Sequence, residues 1–211
     1  METQPLSRWQ EFYSNDNRLG DIPPSACAHQ AAKIFANNHC RIILDLGCGA
    51  GRDSFRLASG GATVIGLDAA RSGLALAQKR AVPSHLRLSW VESDSRFLPF
   101  SDAVFDGVYC FGLLHEFTSA SARNDVHMTM NEINRVLKPS GVAIVATVSG
   151  DPEKGLPQVQ NFSEAMFDSA IAGFHCMEKK AYDDLGCTGR SDYKVWFGHL
   201  VKKQARGCPG G

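Results

Sequence analysis

The chain has 211 residues, 44% hydrophobic and 21% charged, which suits one globular domain able to bury a sizeable core. Its 22 Lys and Arg balance 22 Asp and Glu, so no basic excess argues for a nucleic-acid partner. No apolar run is long enough to cross a bilayer, the start METQPLSRWQEF lacks a basic-then-apolar secretory pattern, and the seven cysteines have neither CxxC nor zinc-ligand spacing. The expectations are a cytoplasmic protein with reduced thiols, no membrane span, no metal site and no nucleic-acid partner.

In chain order, WQEFY places Trp9 and Tyr13 four residues apart, on one face of a helix. Arg41 to Leu46 is a first strand, and residues 52 to 59 look helical. Ala62 to Leu67 is a second strand and Arg71 to Ala81 a second helix. Leu86 to Val91, alternating as LRLSWV, is a third strand, and Phe105 to Phe111 a fourth. Over residues 121 to 137, Val126, Met130, Ile133 and Leu137 share one helical face, and Lys138-Pro139-Ser140-Gly141 stops that helix. Gly141 to Val148 is a fifth strand. A polar stretch with Pro and Gly follows, then a short helix, then two runs, 174 to 182 and 193 to 201, that suit an antiparallel hairpin. Strands alternating with helices imply a mostly parallel sheet covered on both faces, with ligands bound beyond the carboxyl ends of the strands.

The stretch IILDLGCGAGRDS leaves a buried strand for Gly47, Gly49 and Gly51 and then starts a helix. Glycine lets a ligand approach the backbone, and a helix start offers free N–H groups. A P-loop would need a Lys that is absent, and a dinucleotide fingerprint would need a small residue where Arg52 stands. Asp68 ends the second strand, where an acid can accept from both ribose hydroxyls; it is equally placed to cap the next helix. Asp94 after the third strand can accept from an exocyclic adenine amine, or form a turn with Ser93 and Ser95.

Taken together, IILDLGCGAGRDS, VIGLDAA, ESDSRFLPFSDAVFDGVYC and INRVLKPSG resemble the class I S-adenosylmethionine-dependent methyltransferases, closely over residues 40 to 148 and loosely at the end. The resemblance implies an α/β, doubly wound, mostly parallel seven-stranded sheet with a reversed last strand. It implies a single domain: an N-terminal lid or helical segment over 1–38, a cofactor-binding core over 40–148, a substrate-side insertion over 150–172 and a terminal hairpin over 173–202. Asp45, Gly47, Cys48 and Gly49 would hold the methionine part of S-adenosylmethionine, and Gly51 would permit the close turn. Asp68 would bind the ribose, Ala69 would lie by the adenine, and Asp94, Ser95 and Arg96 would recognise its edge. Cys110 and Phe111 would line the pocket near the sulfonium. Trp9 and Tyr13 would belong to a lid; the alternative is a plain amphipathic helix packed on the core.

The implied reaction is in-line methyl transfer to a small-molecule acceptor, giving S-adenosylhomocysteine, in a monomer or homodimer. His115, after the fourth strand, is the candidate base, set against a histidine that only packs or hydrogen-bonds beside the cofactor. Glu116 is expected to be solvated. Arg18 is expected at the surface, and Arg190 and Tyr193 face either the substrate pocket or another subunit. The competing reading is a non-catalytic S-adenosylmethionine-binding sensor or partner subunit.

Overall fold

The structure, a computed structural model, describes residues 4–15, 22–82, 84–150, 161–183 and 194–204. Arg18, Arg190, Tyr193 and most of the polar stretch before residue 161 lie outside the described residues. Helices α1 (Gln4–Asn15) and α2 (Ala26–Asn37) precede β1 (Ile42–Leu46). Then follow α3 (Arg52–Ala58), β2 (Thr63–Asp68), α4 (Arg71–Ala81), β3 (Leu88–Glu92), β4 (Phe105–Phe111) and α5 (Ala122–Val136). The chain continues through β5 (Leu137–Ser149), α6 (Glu164–Ile171), β6 (Phe174–Asp183) and β7 (Lys194–Lys202).

The seven strands form one sheet in the order β3-β2-β1-β4-β5-β7-β6. β1 to β5 are parallel, and β7 lies between β5 and β6, antiparallel to both. The expected doubly wound sheet with a reversed strand is therefore present. β1 pairs with β2 on one side and β4 on the other, so the strand order reverses there and a crevice opens beyond its carboxyl end.

Alternation along the strands builds two apolar layers. On one face Leu44, Leu46, Val108 and Val145 pack with Val126, Met130 and Ile133 of α5 and Phe167 of α6. On the other, Ile43, Val64, Tyr109 and Ile144 pack with Cys27, Ala28, Ala31 and Phe35 of α2 and Leu57 of α3. The glycine in β4 has a packing reason: a Cβ on Gly107 would lie 2.8 Å from the Phe35 ring.

Two boundaries differ from the sequence reading by more than one residue. β3 starts at Leu88, not Leu86, although Arg87 O still accepts from Val64 N at 2.9 Å. β5 starts at Leu137, directly after α5, because Leu137 pairs with Phe105 before a register irregularity and resumed pairing at Gly107↔Val142. Ser140, at φ 61°, lies within that irregularity.

Candidate active site

The chain turns sharply at the end of β1. Gly47, Gly49 and Gly51 have φ of 80°, 53° and 76°, a region open to glycine at little cost. The loop is tied to β2: Gly47 N and Cys48 N donate to Leu67 O at 2.8 and 3.1 Å. Gly49 N donates to Asp68 Oδ2 at 2.8 Å, and Ala70 N donates to Asp68 Oδ1 at 2.8 Å. Asp68 thus braces the loop and the entry to α4, and each of its oxygens keeps a lone pair for a ligand. Burial raises its pKa, and these N–H donors oppose the rise.

Asp45, at the end of β1, is 3% exposed and accepts from Ser54 Oγ at 2.5 Å. Burial pushes its carboxyl up to about 7, and the carboxylates of Asp53 and Asp68 add to the rise. Cys48 is buried, and burial holds its thiol well above the usual range. It is packed, not poised as a nucleophile.

Helix α1 spans this crevice. Gln10 Oε1 accepts from Ser72 N at 3.0 Å, and Ser72 Oγ donates to Gln10 O at 2.8 Å, which fixes α1 to the start of α4. At the other side Arg8 pairs with Glu116, and Trp9 Nε1 donates to the same carboxylate at 3.1 Å. Trp9 and Tyr13 stack at 5.7 Å, as their four-residue spacing requires. Tyr13 lies on the glycine loop: a Cβ on Gly49 would collide with its hydroxyl, and one on Gly73 would meet its ring at 3.0 Å.

Glu116 departs from expectation. It is 9% exposed rather than solvated, because the carboxyl-end loop after β4 turns it under α1. His115 beside it is part-buried, with Nδ1 3.3 Å from Thr147 Oγ1 and Nε2 3.4 Å from Glu116 Oε1. Burial lowers its pKa to about 4, and the Arg8 charge adds to that. Glu116, although 3.4 Å away, does not reverse the shift.

On the adenine side of the sequence reading, Asp94 is engaged by Arg96. Arg96 N donates to Asp94 Oδ1 at 2.8 Å, and Arg96 Nη2 donates to Oδ2 at 2.6 Å. Burial alone would raise the Asp94 pKa, but Arg96 outweighs it and the net shift is downward. Arg96 Nη1 also donates to Asp125 Oδ1 at 2.9 Å, linking this turn to α5. The Ser95 side chain points inward, with Oγ 3.3 Å from Thr129 Oγ1. Ala69, just beyond the end of β2, and Phe111, the last residue of β4, are half-buried. Cys110 is different: it is fully buried in the α5-side core, so its side chain packs there instead of lining an open pocket.

A second buried group was not legible as a unit in the sequence. Asp53, at the start of α3, accepts from Ser25 N at 2.8 Å, Ser25 Oγ at 2.7 Å and Tyr109 OH at 2.9 Å. Ser25 is also the N-cap of α2. One carboxylate therefore ties the glycine-loop helix to α2 and to β4. The only local sign was Ser25 after Pro23-Pro24, a helix-start pattern.

No cluster of three or more metal-ligating side chains occurs among the described residues. No helix among them is long and apolar enough to cross a membrane.

Residues 43–141 match the family described as a methyltransferase domain. The chain is 39% identical over 100 residues to an uncharacterized methyltransferase of Synechocystis, covering 47% of this chain and 43% of that protein. It is 31% identical over 152 residues to a ubiquinone biosynthesis O-methyltransferase of Alkalilimnicola ehrlichii, covering 71% of this chain and 58% of the relative. The chain thus spans about half the length of the curated relatives it matches. Its fold superposes on geranyl diphosphate C-methyltransferase of Streptomyces coelicolor, a structure containing Mg2+, geranyl diphosphate and S-adenosyl-L-homocysteine. There the TM-score is 0.72 at 14% identity, over 95% of this chain and 98% of that one.

Proposed function

We propose that this chain, a member of the class I S-adenosylmethionine-dependent methyltransferases, transfers the sulfonium methyl group to a small-molecule acceptor. The observation that carries this reading is the glycine loop at the strand-order reversal, braced by Asp68 and floored by a buried acid, Asp45, that among the described residues has no hydrogen-bonded cation. The donor set fits the cofactor. Backbone at Gly47 to Gly51 admits close approach, Asp45 offers a negative site for the methionine ammonium, and Asp68 retains acceptor capacity for the ribose hydroxyls.

When bound, S-adenosylmethionine supplies an already activated methyl group on a cationic sulfur. The chain's own residues then position and exclude. Bringing donor and acceptor into line can lower a barrier by roughly 7–11 kcal/mol. Helix α1 covers the crevice, with Tyr13 against the loop and Trp9 held by Glu116, and so keeps bulk water from it. We assign His115 an orienting role with Thr147 in place of base catalysis: a general base works best with a pKa near the operating pH, and burial takes His115 down to about 4. With no general base assigned, the acceptor's proton passes to water once the methylated product leaves the crevice.

A small-molecule acceptor is supported by relatives named as a ubiquinone biosynthesis O-methyltransferase and a demethylmenaquinone methyltransferase, and the fold neighbour is named as a geranyl diphosphate C-methyltransferase. The test is incubation with S-adenosylmethionine labelled in its methyl group and a set of quinone, phenol and isoprenoid acceptors. The expected result is labelled acceptor with matching S-adenosylhomocysteine. Tight cofactor binding with no product from any acceptor would contradict the catalytic reading. Asp68→Ala should weaken cofactor binding tenfold or more, equivalent to about 1.4 kcal/mol.

A further inference from the structure

Away from the glycine loop, a cavity of about 200 Å³ lies between α5 and α6. Val126 and Phe162, both buried, and half-buried Met166 give it an apolar floor. Arg123, exposed, and His127, half-buried, stand one helical turn apart at its mouth. Among the described residues neither makes an ion pair or a side-chain hydrogen bond. The nearby acids are committed elsewhere. Glu164 and Asp168 of α6 accept from Lys179 at 2.8 and 2.7 Å, and Asp125 of α5 accepts from Arg96 and from Ser121. Two N–H donors, one of them a permanent cation, therefore stand at an apolar chamber with no acid among the described residues paired to them.

We propose that this cavity binds a small organic anion with an apolar body, of the aliphatic or aromatic carboxylate class. Its hydrocarbon would fill the space between Phe162 and Met166, and its carboxylate would sit at the mouth on Arg123, whose planar guanidinium matches a carboxylate's two oxygens. The cavity is too small for a long chain and too apolar for a free inorganic anion. This site does not depend on the methyl-transfer reading, because it shares no residue with the glycine loop.

The test is calorimetric titration of the full chain with hexanoate and with 1-hexanol, matched in hydrocarbon and differing in charge. In parallel, the Met166 methyl is followed by NMR in protein carrying labelled methionine. Saturable hexanoate binding that shifts the Met166 methyl is expected, with 1-hexanol weaker by about threefold or more, the range of one exposed charge contact. The double variant Arg123→Gln, His127→Gln should bring the two probes to equal affinity. Ala165→Phe, at an exposed lining position, should abolish both. Absence of saturable binding, or hexanoate affinity unchanged in the double variant, would overturn the proposal. A labelled methyl ester formed from hexanoate and labelled S-adenosylmethionine would identify such an acid as the acceptor; binding without ester would identify a separate ligand site.

Discussion

Asp45 is the residue on which the site's chemistry turns. Burial holds its carboxyl near 7, so in the free protein it is protonated through the acid range and ionised only above neutrality. A cationic ligand pairs with the ionised form. Binding below pH 7 must first remove the proton, and cofactor affinity should fall by up to about tenfold per pH unit there while levelling above it. Titration of binding from pH 5.5 to 8.5 checks this, and Asp45→Asn should bind weakly with a flat profile. The sign for stability is opposite. A carboxyl whose folded pKa is raised destabilises the free protein progressively as pH rises from about 4 to 7, so Asp45→Asn should gain most in melting temperature at pH 8 and least at pH 4. His115 should contribute no limb near neutrality to the pH–rate profile, since burial keeps it neutral there. Much of this was legible locally: glycines after a strand and an acid at each of two strand ends are short-range patterns. Glu116 was not, because its partners Arg8 and Trp9 lie more than 100 residues away and nothing in GLLHEF announces them. Nor does ESDSR reveal that Arg96 occupies the Asp94 carboxylate.

At the scale of elements, α2 shows what periodicity alone did not single out. PSACAHQAAKIFANN carries small residues on its buried face, a weak apolar signal, yet α2 forms one wall of the core beside α3 and β4. Its Phe35 is 1% exposed and lies on Gly107. Phe35→Ala should therefore cost about 3–5 kcal/mol in chemical denaturation, the range for truncating a core aromatic. A loss under 1 kcal/mol would mean that α2 is peripheral. By contrast, α1 is held by a few polar contacts and by Tyr13 on the glycine loop, as suits an element that covers a ligand. Tyr13→Ala should change cofactor off-rate more than global stability, which stopped-flow displacement measures. Faster release with an unchanged denaturation midpoint is the expected pattern. The early start of β5 was hidden because Pro139 and Ser140 read as a helix stop; they are one, but the ladder with β4 begins beside them across an irregular register.

For the whole molecule, alternating strand and helix signals were enough to read a mostly parallel sheet, and the terminal runs were enough to read a hairpin. Strand order was not readable from periodicity, since pattern fixes which face is buried and not which strand is the neighbour; the family resemblance implied only seven strands with the last reversed. That order matters for function: it places the reversal at β1, and with it the crevice that Gly47 to Gly51, Asp45 and Asp68 line. Function depends on what occupies that crevice. The most direct measurement is the melting temperature of the full chain with S-adenosylmethionine, S-adenosylhomocysteine or NAD added separately. At about 100 times its dissociation constant, a ligand of the folded state stabilises by roughly 2.7 kcal/mol, about 5–10 °C for a chain of this size. A shift with the two sulfur compounds and none with NAD is the predicted result. A shift with NAD alone would contradict the assignment of the glycine loop, and the methyl-transfer reading would fall with it.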